Sequence, residues 1–314
     1  MILNTGSRTD IPAFYSDWFY ERVRAGYVLV RNPYDPLRLT RYQLDPKVID
    51  VLVFCTKDPG PMLDRLSRLS AFTMFWSVTI TPYGKEVEPY VPPKEQVIGS
   101  FKRLSEAVGK ERISWRYDPV LLTERYTIRH HIRQFEQIAR ALTGYTDQCV
   151  VSFIDLYEKT KRNFPGIRSV TGQEQEELID AFSKTAKETG MQIHLCCEDP
   201  GLARENVDAD GCLSKAVLER ALGCRLSVPK RKGPREGCDC LLGADIGAYD
   251  TCLHGCLYCY AVRDRERAVQ NRRLHDPASP LLIGNVSEED VIHPAEQMEW
   301  RDGQMELADF LANL

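Results

Sequence analysis

Apolar residues over the first 250 positions follow two rhythms. Short continuous runs occur at Ile2-Leu3, Val48 to Cys55, Phe72 to Ile80, Cys149 to Ile154 and Met191 to Cys197. Between them lie longer stretches in which an apolar residue returns every third or fourth position. Continuous runs predict strands buried on both faces, and the longer period predicts helices with one apolar stripe. A strand over Ile2–Thr5 is followed by a helix that starts at Pro12, carries Phe14, Trp18 and Val23 on one face, and stops at Gly26. Tyr27–Arg31 and Leu37–Tyr42 read as a hairpin about Asn32-Pro33-Tyr34-Asp35-Pro36. Helices are predicted over Met62–Leu69, from Pro93 to Gly109 and over Thr123–Leu142, the last with Ile128, Ile132, Phe135 and Ile138 aligned. Another follows the capping box Thr171-Gly-Gln-Glu174 and runs to Gly190. Arg112–Trp115 and Leu241–Ile246 complete the strands.

Strands and helices that alternate in this way predict an α/β fold with a parallel sheet. Six or seven such units without a G-x-G-x-x-G loop favour a TIM-like parallel barrel, complete or partial, over a doubly wound sheet. The expected organisation is a barrel body over 1–235, a cysteine-rich cluster-binding segment that completes it over 236–275, and a polar C-terminal tail over 276–314 with a short helix at 306–314. His130-His131 falls within a helix and reads as structural.

Nearly every strand ends in ionisable residues: Arg8 and Asp10, Lys57 and Asp58, Arg116 and Asp118, Asp155, and Glu198. In a parallel barrel these ends share one rim, where such folds hold their active sites. Asp-Pro pairs such as Asp58-Pro59 also start turns. Taken together, the eight residues are the candidate catalytic set, a charge-balanced cup suited to a small polar or zwitterionic ligand.

Charge and composition narrow the picture only slightly. Hydrophobic residues make up 43% and charged residues 27% of the 314, and the net charge is -4. No overall basic field points to nucleic acid. The segment Pro229-Lys-Arg-Lys-Gly-Pro-Arg235 is either a phosphate contact or a solvated loop. Met1–Gly6 lacks a basic flank and a long apolar core, and no apolar run is long enough to span a membrane, so a cytoplasmic location is expected.

Eleven cysteines in a reducing compartment point to metal or redox chemistry. The strongest signal is Cys252-x3-Cys256-x2-Cys259, with Tyr258 and Tyr260 beside its last cysteine as further candidate cofactor contacts. Three thiolates at this spacing can hold an iron–sulfur cluster with one iron left open, whereas a structural zinc site would usually supply a fourth ligand nearby. His254 lies between the thiols and is expected to turn away from them. A second set, Cys196, Cys197, Cys212, Cys238 and Cys240, would take zinc or an auxiliary cluster, or else serves as structural support. Cys55 and Cys149 read as small buried hydrophobes.

The three-cysteine motif resembles that of the radical S-adenosylmethionine superfamily, and His254-Gly-Cys-Leu-Tyr-Cys-Tyr-Ala261 resembles its spore photoproduct lyase-like branch. The whole chain resembles a bacterial domain-of-unknown-function family, number 1848, through Ser7-Arg-Thr-Asp10, Thr56-Lys-Asp-Pro59, Arg116-Tyr-Asp-Pro119 and Asp245-Ile-Gly-Ala-Tyr249. The superfamily resemblance implies a [4Fe-4S] cluster on Cys252, Cys256 and Cys259, with S-adenosylmethionine chelated at the open iron. It also implies an electron-donor protein and a 5′-deoxyadenosyl radical that abstracts hydrogen from the substrate. In that superfamily the motif follows the first barrel strand, whereas here it follows nearly all the α/β units; a barrel can bring first and last strands together. The superfamily's Gly-Gly-Glu element has no counterpart. Two further readings stand beside this one: a non-catalytic or redox-sensing zinc or iron–sulfur barrel protein, and a metal-independent hydrolase built on Asp10, Asp118 and Glu198.

Overall fold

The computed structural model describes residues 1–229, 238 and 240–302. The basic segment 230–235 and the expected helix at 306–314 lie outside the described residues. In chain order the elements are β1 (Ile2–Asn4), α1 (Ile11–Phe14), α2 (Ser16–Ala25), β2 (Tyr27–Arg31), β3 (Arg38–Gln43), β4 (Val51–Thr56) and a 3₁₀ stretch (Gly60–Leu69). Next come β5 (Met74–Thr79), α3 (Lys94–Val108), β6 (Ile113–Val120), α4 (Ile128–Leu142), β7 (Gln148–Phe153), α5 (Glu158–Asn163) and α6 (Gly172–Thr189). The last are β8 (Gln192–Leu195), β9 (Val207–Asp208), α7 (Lys215–Leu222), β10 (Ala244–Asp245), α8 (Arg265–Arg273) and β11 (Val291–Pro294).

Eight strands form one sheet in the order β10-β1-β4-β5-β6-β7-β8-β9, and every neighbouring pair is parallel. From β1 to β9 the order follows the chain, so right-handed crossovers put the helices on a single face. The core has this form. Trp18 of α2, Phe101 of α3, Phe135 of α4 and Phe182 of α6 pack with Phe54, Trp76, Trp115 and Leu195 of the sheet in one large cluster. The other face gathers Ile2, Val51, Val53, Phe75 and Val150 around Leu213, Val217, Leu218, Leu226 and Leu241, with α7 set into it. The result is a partial barrel. Among the described residues, no ladder joins β9 to β10.

Local chemistry sets most element ends. The Thr171 and Glu174 side chains and backbones form a reciprocal capping box, and Gly190 closes α6 at φ 72°. α4 starts at Ile128, later than its pattern suggests, because Thr123 and Tyr126 bond to each other in a turn (3.0 and 3.2 Å) and Thr127 takes the cap. β6 runs past Asp118 to Val120, and its register shifts between Tyr117 and Val120, where Pro119 has no N–H to give. The predicted hairpin is present as β2 and β3. It forms a second sheet in which β11 pairs parallel with β3, so the polar tail contributes a strand. Among the described residues, no helix is long and apolar enough to cross a membrane.

His131 illustrates how the core handles a polar group. It is fully buried, with Nε2 2.9 Å from the Leu121 carbonyl and Nδ1 2.9 Å from the Tyr117 hydroxyl. These partners fit a neutral ring that donates from Nε2 and accepts at Nδ1. Burial lowers its pKa to about 4. The unfolded chain binds this proton near pH 6.5, so the stabilising effect of the neutral ring is complete above that pH. It is lost as pH falls towards about 4, by about 3 kcal/mol. His131→Gln keeps a donor and an acceptor but cannot titrate. Denaturation midpoints measured from about pH 7 down to about pH 4.5 should therefore fall more steeply for the native protein than for the variant; parallel curves would refute this role.

A candidate metal centre at the barrel rim

The loop that carries Cys252, Cys256 and Cys259 leaves β10 and is held from every side. Asp250 N–H donates to the Ala261 carbonyl at 2.9 Å, which closes the loop on itself. The Asp250 carboxylate faces Arg267 at 3.3 Å, and its carbonyl accepts from Asn271 at 2.8 Å, both on α8. The segment between β5 and α3 grips the loop through Tyr90 N–H to the His254 carbonyl (3.1 Å) and Leu257 N–H to the Val87 carbonyl (3.0 Å). On the far side, Asn163 donates to the Leu257 carbonyl (2.6 Å) and Lys159 to the Cys259 carbonyl (3.0 Å). The hydroxyl of Tyr260 reaches the Ser7 carbonyl at 2.9 Å. Gly255 sits at φ 69°, and a Cβ there would lie 2.9 Å from the Tyr90 ring.

Cys256 is buried, while Cys252 and Cys259 are half-buried. Burial pushes the Cys252 and Cys256 thiols up, and the neighbouring thiols add to this through their mutual repulsion as thiolates. Their sulfur atoms do not all lie within 4.8 Å of one another, the reach of ligands to one ion. Among the described residues, the one set of three metal-ligating side chains with all donor atoms within 4.8 Å of one another is Cys196, Cys212 and Cys240. That set lies inside the barrel and could hold a metal ion. Of the other two cysteines in the expected second set, Cys197 hydrogen-bonds Cys196 and Cys238 is buried in the same interior cluster.

His254 turns away from the motif thiols. Its Nε2 lies 2.9 Å from Asp10 Oδ2, and its buried Nδ1 has no hydrogen-bond partner. Asp10 also accepts from Thr56 Oγ1 (2.7 Å), Lys57 N–H (2.8 Å) and Ala13 N–H (3.0 Å). Lys57 sends its ammonium 2.8 Å to Glu88, which also accepts from Thr81 (2.6 Å) and from the Tyr258 hydroxyl. Burial opposes the charge on Lys57, but Glu88, Cys256 and Asp118 outweigh it and raise its pKa. Burial likewise opposes the Glu88 charge, and Lys57 with the other donors brings its pKa down. This corner is a closed ion pair beside Cys256.

The other sequence-predicted residues divide. Arg116 pairs with Asp118, which also accepts from Ser152. Arg8 pairs with Asp245 at 2.8 Å rather than with Asp10. Asp58 is spent on a turn, accepting from Gly60 N–H at 3.0 Å. Glu198 accepts from Phe153 N–H at 2.8 Å, and burial, then the nearby Cys196 and Asp118, raises its pKa to about 8. Asp155 lies within 3.3 Å of the Tyr157 hydroxyl. Sequence reasoning missed Glu88, Asp245 and the Asp10–His254 link. Glu88 sits in a proline-rich loop without periodicity. Asp245 falls near the end of the expected strand Leu241–Ile246, where nothing singled out its carboxylate.

The sequence model of the family described as "Domain of unknown function (DUF1848)" matches residues 2–261. No curated protein matches the chain. Among solved structures, a single-site mutant of spore photoproduct lyase is similar at 16% identity and a TM-score of 0.34, over 45% of this chain and 50% of that one. A Bacteroides thetaiotaomicron protein described as an α-L-fucosidase is similar at 14% identity and a TM-score of 0.28, over 51% and 49%. The match thus spans about half the length of each solved structure.

Two outcomes test this geometry. Gly255→Ala forces a left-handed backbone on a residue with a Cβ and presses it against Tyr90. It should cost about 1–2 kcal/mol in chemical denaturation, and an unchanged midpoint would contradict the close approach. The protonated Glu198 carboxyl stabilises the fold fully below the unfolded carboxyl pKa, near 4.3, and that contribution is lost as pH rises through about 8. Melting temperature followed from about pH 5 to about pH 8 should therefore decline less in Glu198→Gln than in the native protein. An identical decline would show that Glu198 titrates normally.

Proposed function

We propose that this chain, which belongs to the DUF1848 family, is an iron–sulfur protein of radical S-adenosylmethionine type, with a [4Fe-4S] cluster on Cys252, Cys256 and Cys259. The observation that carries this reading is the C-x3-C-x2-C loop, one thiol buried and two half-buried, bonded on several sides to a rim of paired charges. Buried thiols resist ionisation, and bound metal removes that cost by deprotonating them outright. Thiolates of a cluster bind separate irons, so they stand further apart than ligands of one ion, which agrees with the wide spacing of this set. The orphaned Nδ1 of His254 and the ion pair beside Cys256 fit a centre that carries charge.

A bound cluster supplies an open, Lewis-acidic iron and a single electron for cleavage of a sulfonium. The chain's own residues do the rest. His254 and Asp10 fix the loop to β1 and β4. Tyr258 and Glu88 hold Lys57 as a fixed positive charge beside Cys256, where it favours the thiolate. Arg8 and Arg116 offer guanidinium groups to a carboxylate, and Asp118 and Asp245 offer oxygens to an amino group or ribose. That set matches a zwitterionic cofactor and a small polar substrate. In this reading residues 236–275 form the cluster-binding unit, a cytoplasmic electron-donor protein completes the system, and the acidic chain offers nucleic acid no general field.

Protein reconstituted anaerobically should contain iron and sulfide, and Cys256→Ala should lose both. With a reductant, the native protein should convert S-adenosylmethionine to 5′-deoxyadenosine. A reconstituted protein without iron would sink the proposal, whereas an intact cofactor beside a confirmed cluster would remove only the S-adenosylmethionine half. A second reading has support in Glu198, which is protonated near neutral pH beside the carboxylate of Asp118, as a general acid would be. It requires an activity that survives Cys256→Ala and disappears in Glu198→Gln.

A further inference from the structure

We propose that Cys196, Cys212 and Cys240 bind one thiophilic divalent ion, zinc by class, which staples the open side of the barrel and is separate from the motif cluster. Three observations point to this. The first is spacing. The Sγ atoms of Cys196 and Cys212 lie 3.6 Å apart, and those of Cys212 and Cys240 lie 3.3 Å apart. Ligands on one tetrahedral zinc with bonds of about 2.3 Å stand about 3.8 Å apart. These thiols are therefore at single-ion distance, too close for ligands of separate irons. The second is burial. The three residues are 7%, 2% and 1% exposed and sit among Ile2, Val51, Leu218 and Leu241. Thiols driven this deep into an apolar cluster are inert unless a metal claims them.

The third is topology. The sheet is open between β9 and β10 among the described residues. Cys196 follows β8 and Cys212 follows β9, at one edge; Cys240 precedes β10, at the other. One backbone hydrogen bond, Leu241 N–H to the Leu213 carbonyl at 2.9 Å, already crosses near this gap. A single ion would bond across it from both edges. Cys197 and Cys238 adjoin the set, and one of them supplies the fourth thiolate. The Arg116 guanidinium, paired with Asp118, is near enough to Cys196 and Cys212 to feel their charge, and would offset part of the net negative charge of a zinc–thiolate site.

The test separates this site from the motif by the metal each one holds. Natively folded protein purified in air should carry zinc at one per chain by elemental analysis. Cys212→Ser and Cys240→Ser should lose the zinc and keep the reconstituted iron, while Cys256→Ala should keep the zinc. Comparing Cys197→Ser with Cys238→Ser identifies the fourth ligand. If the serine variants do not fold, the native protein grown with cobalt(II) should show the visible absorption of a tetrahedral thiolate site. Zinc retained in Cys212→Ser overturns the proposal. So does a Cys212–Cys240 disulfide in unreduced protein without metal, as does a loss of iron and sulfide instead of zinc. The zinc results stand whether or not the motif holds a cluster, and the motif reading is tested by iron and sulfide, so failure of one is distinguishable from failure of the other.

Discussion

The carboxylate of Asp10 joins three parts of the rim that the chain keeps far apart. It is 5% exposed and accepts four hydrogen bonds. One fixes the first turn after β1, two fix the end of β4, and one holds His254 of the cysteine loop. Four donors replace the water that burial removes, and a buried carboxylate with fewer would be costly. The position of the cysteine loop thus depends on a residue 244 positions away in sequence. The neighbouring groups follow the same rule. Lys57 is tolerable beside Cys256 because Glu88 closes on it, and Glu88 is tolerable because Lys57, Thr81 and Tyr258 all donate to it.

Topology explains how a motif near the end of the chain reaches the first strand. β10 lies beside β1, with Leu3 opposite Ala244 and Asn4 opposite Asp245. Gly243 makes that approach close: a Cβ at this position would fall 1.7 Å from the Ile2 carbonyl oxygen. Once β10 is in place, Asp245 meets Arg8, and the loop that follows opens over the rim. The late place of the motif in sequence is an early place in the barrel.

How much of this was legible in the sequence depends on whether a feature is local. Continuous apolar runs marked β4, β5, β7 and β8, and the capping box marked α6, because burial on both faces and end-capping act over a few residues. The ionisable residues at strand ends were equally visible. Their partners were not. Adjacent pairing holds for Arg116 and Asp118, but Arg8 finds Asp245, Lys57 finds Glu88, and Asp58 turns back to Gly60. Glu88 sits on a loop and Asp245 on a two-residue strand, placements that no hydrophobic period encodes. β9 has two residues and β11 is exposed along its length, so neither leaves an apolar signature.

The two groups of thiols differ in the properties that decide what a metal there can do. Cys196, Cys212 and Cys240 are buried among aliphatic side chains, close enough for one ion. A metal closed in by four thiolates there would hold structure. The motif thiols are further apart, two of them half-buried, and the loop that bears them is bonded to charged groups that a ligand at the rim would meet. Spacing thus separates a single ion from a cluster, and exposure separates a staple from a reactive centre. Both differences follow from where the chain enters the barrel: one set lies at the strand edges inside it, and the other on a loop that the last strand delivers above it.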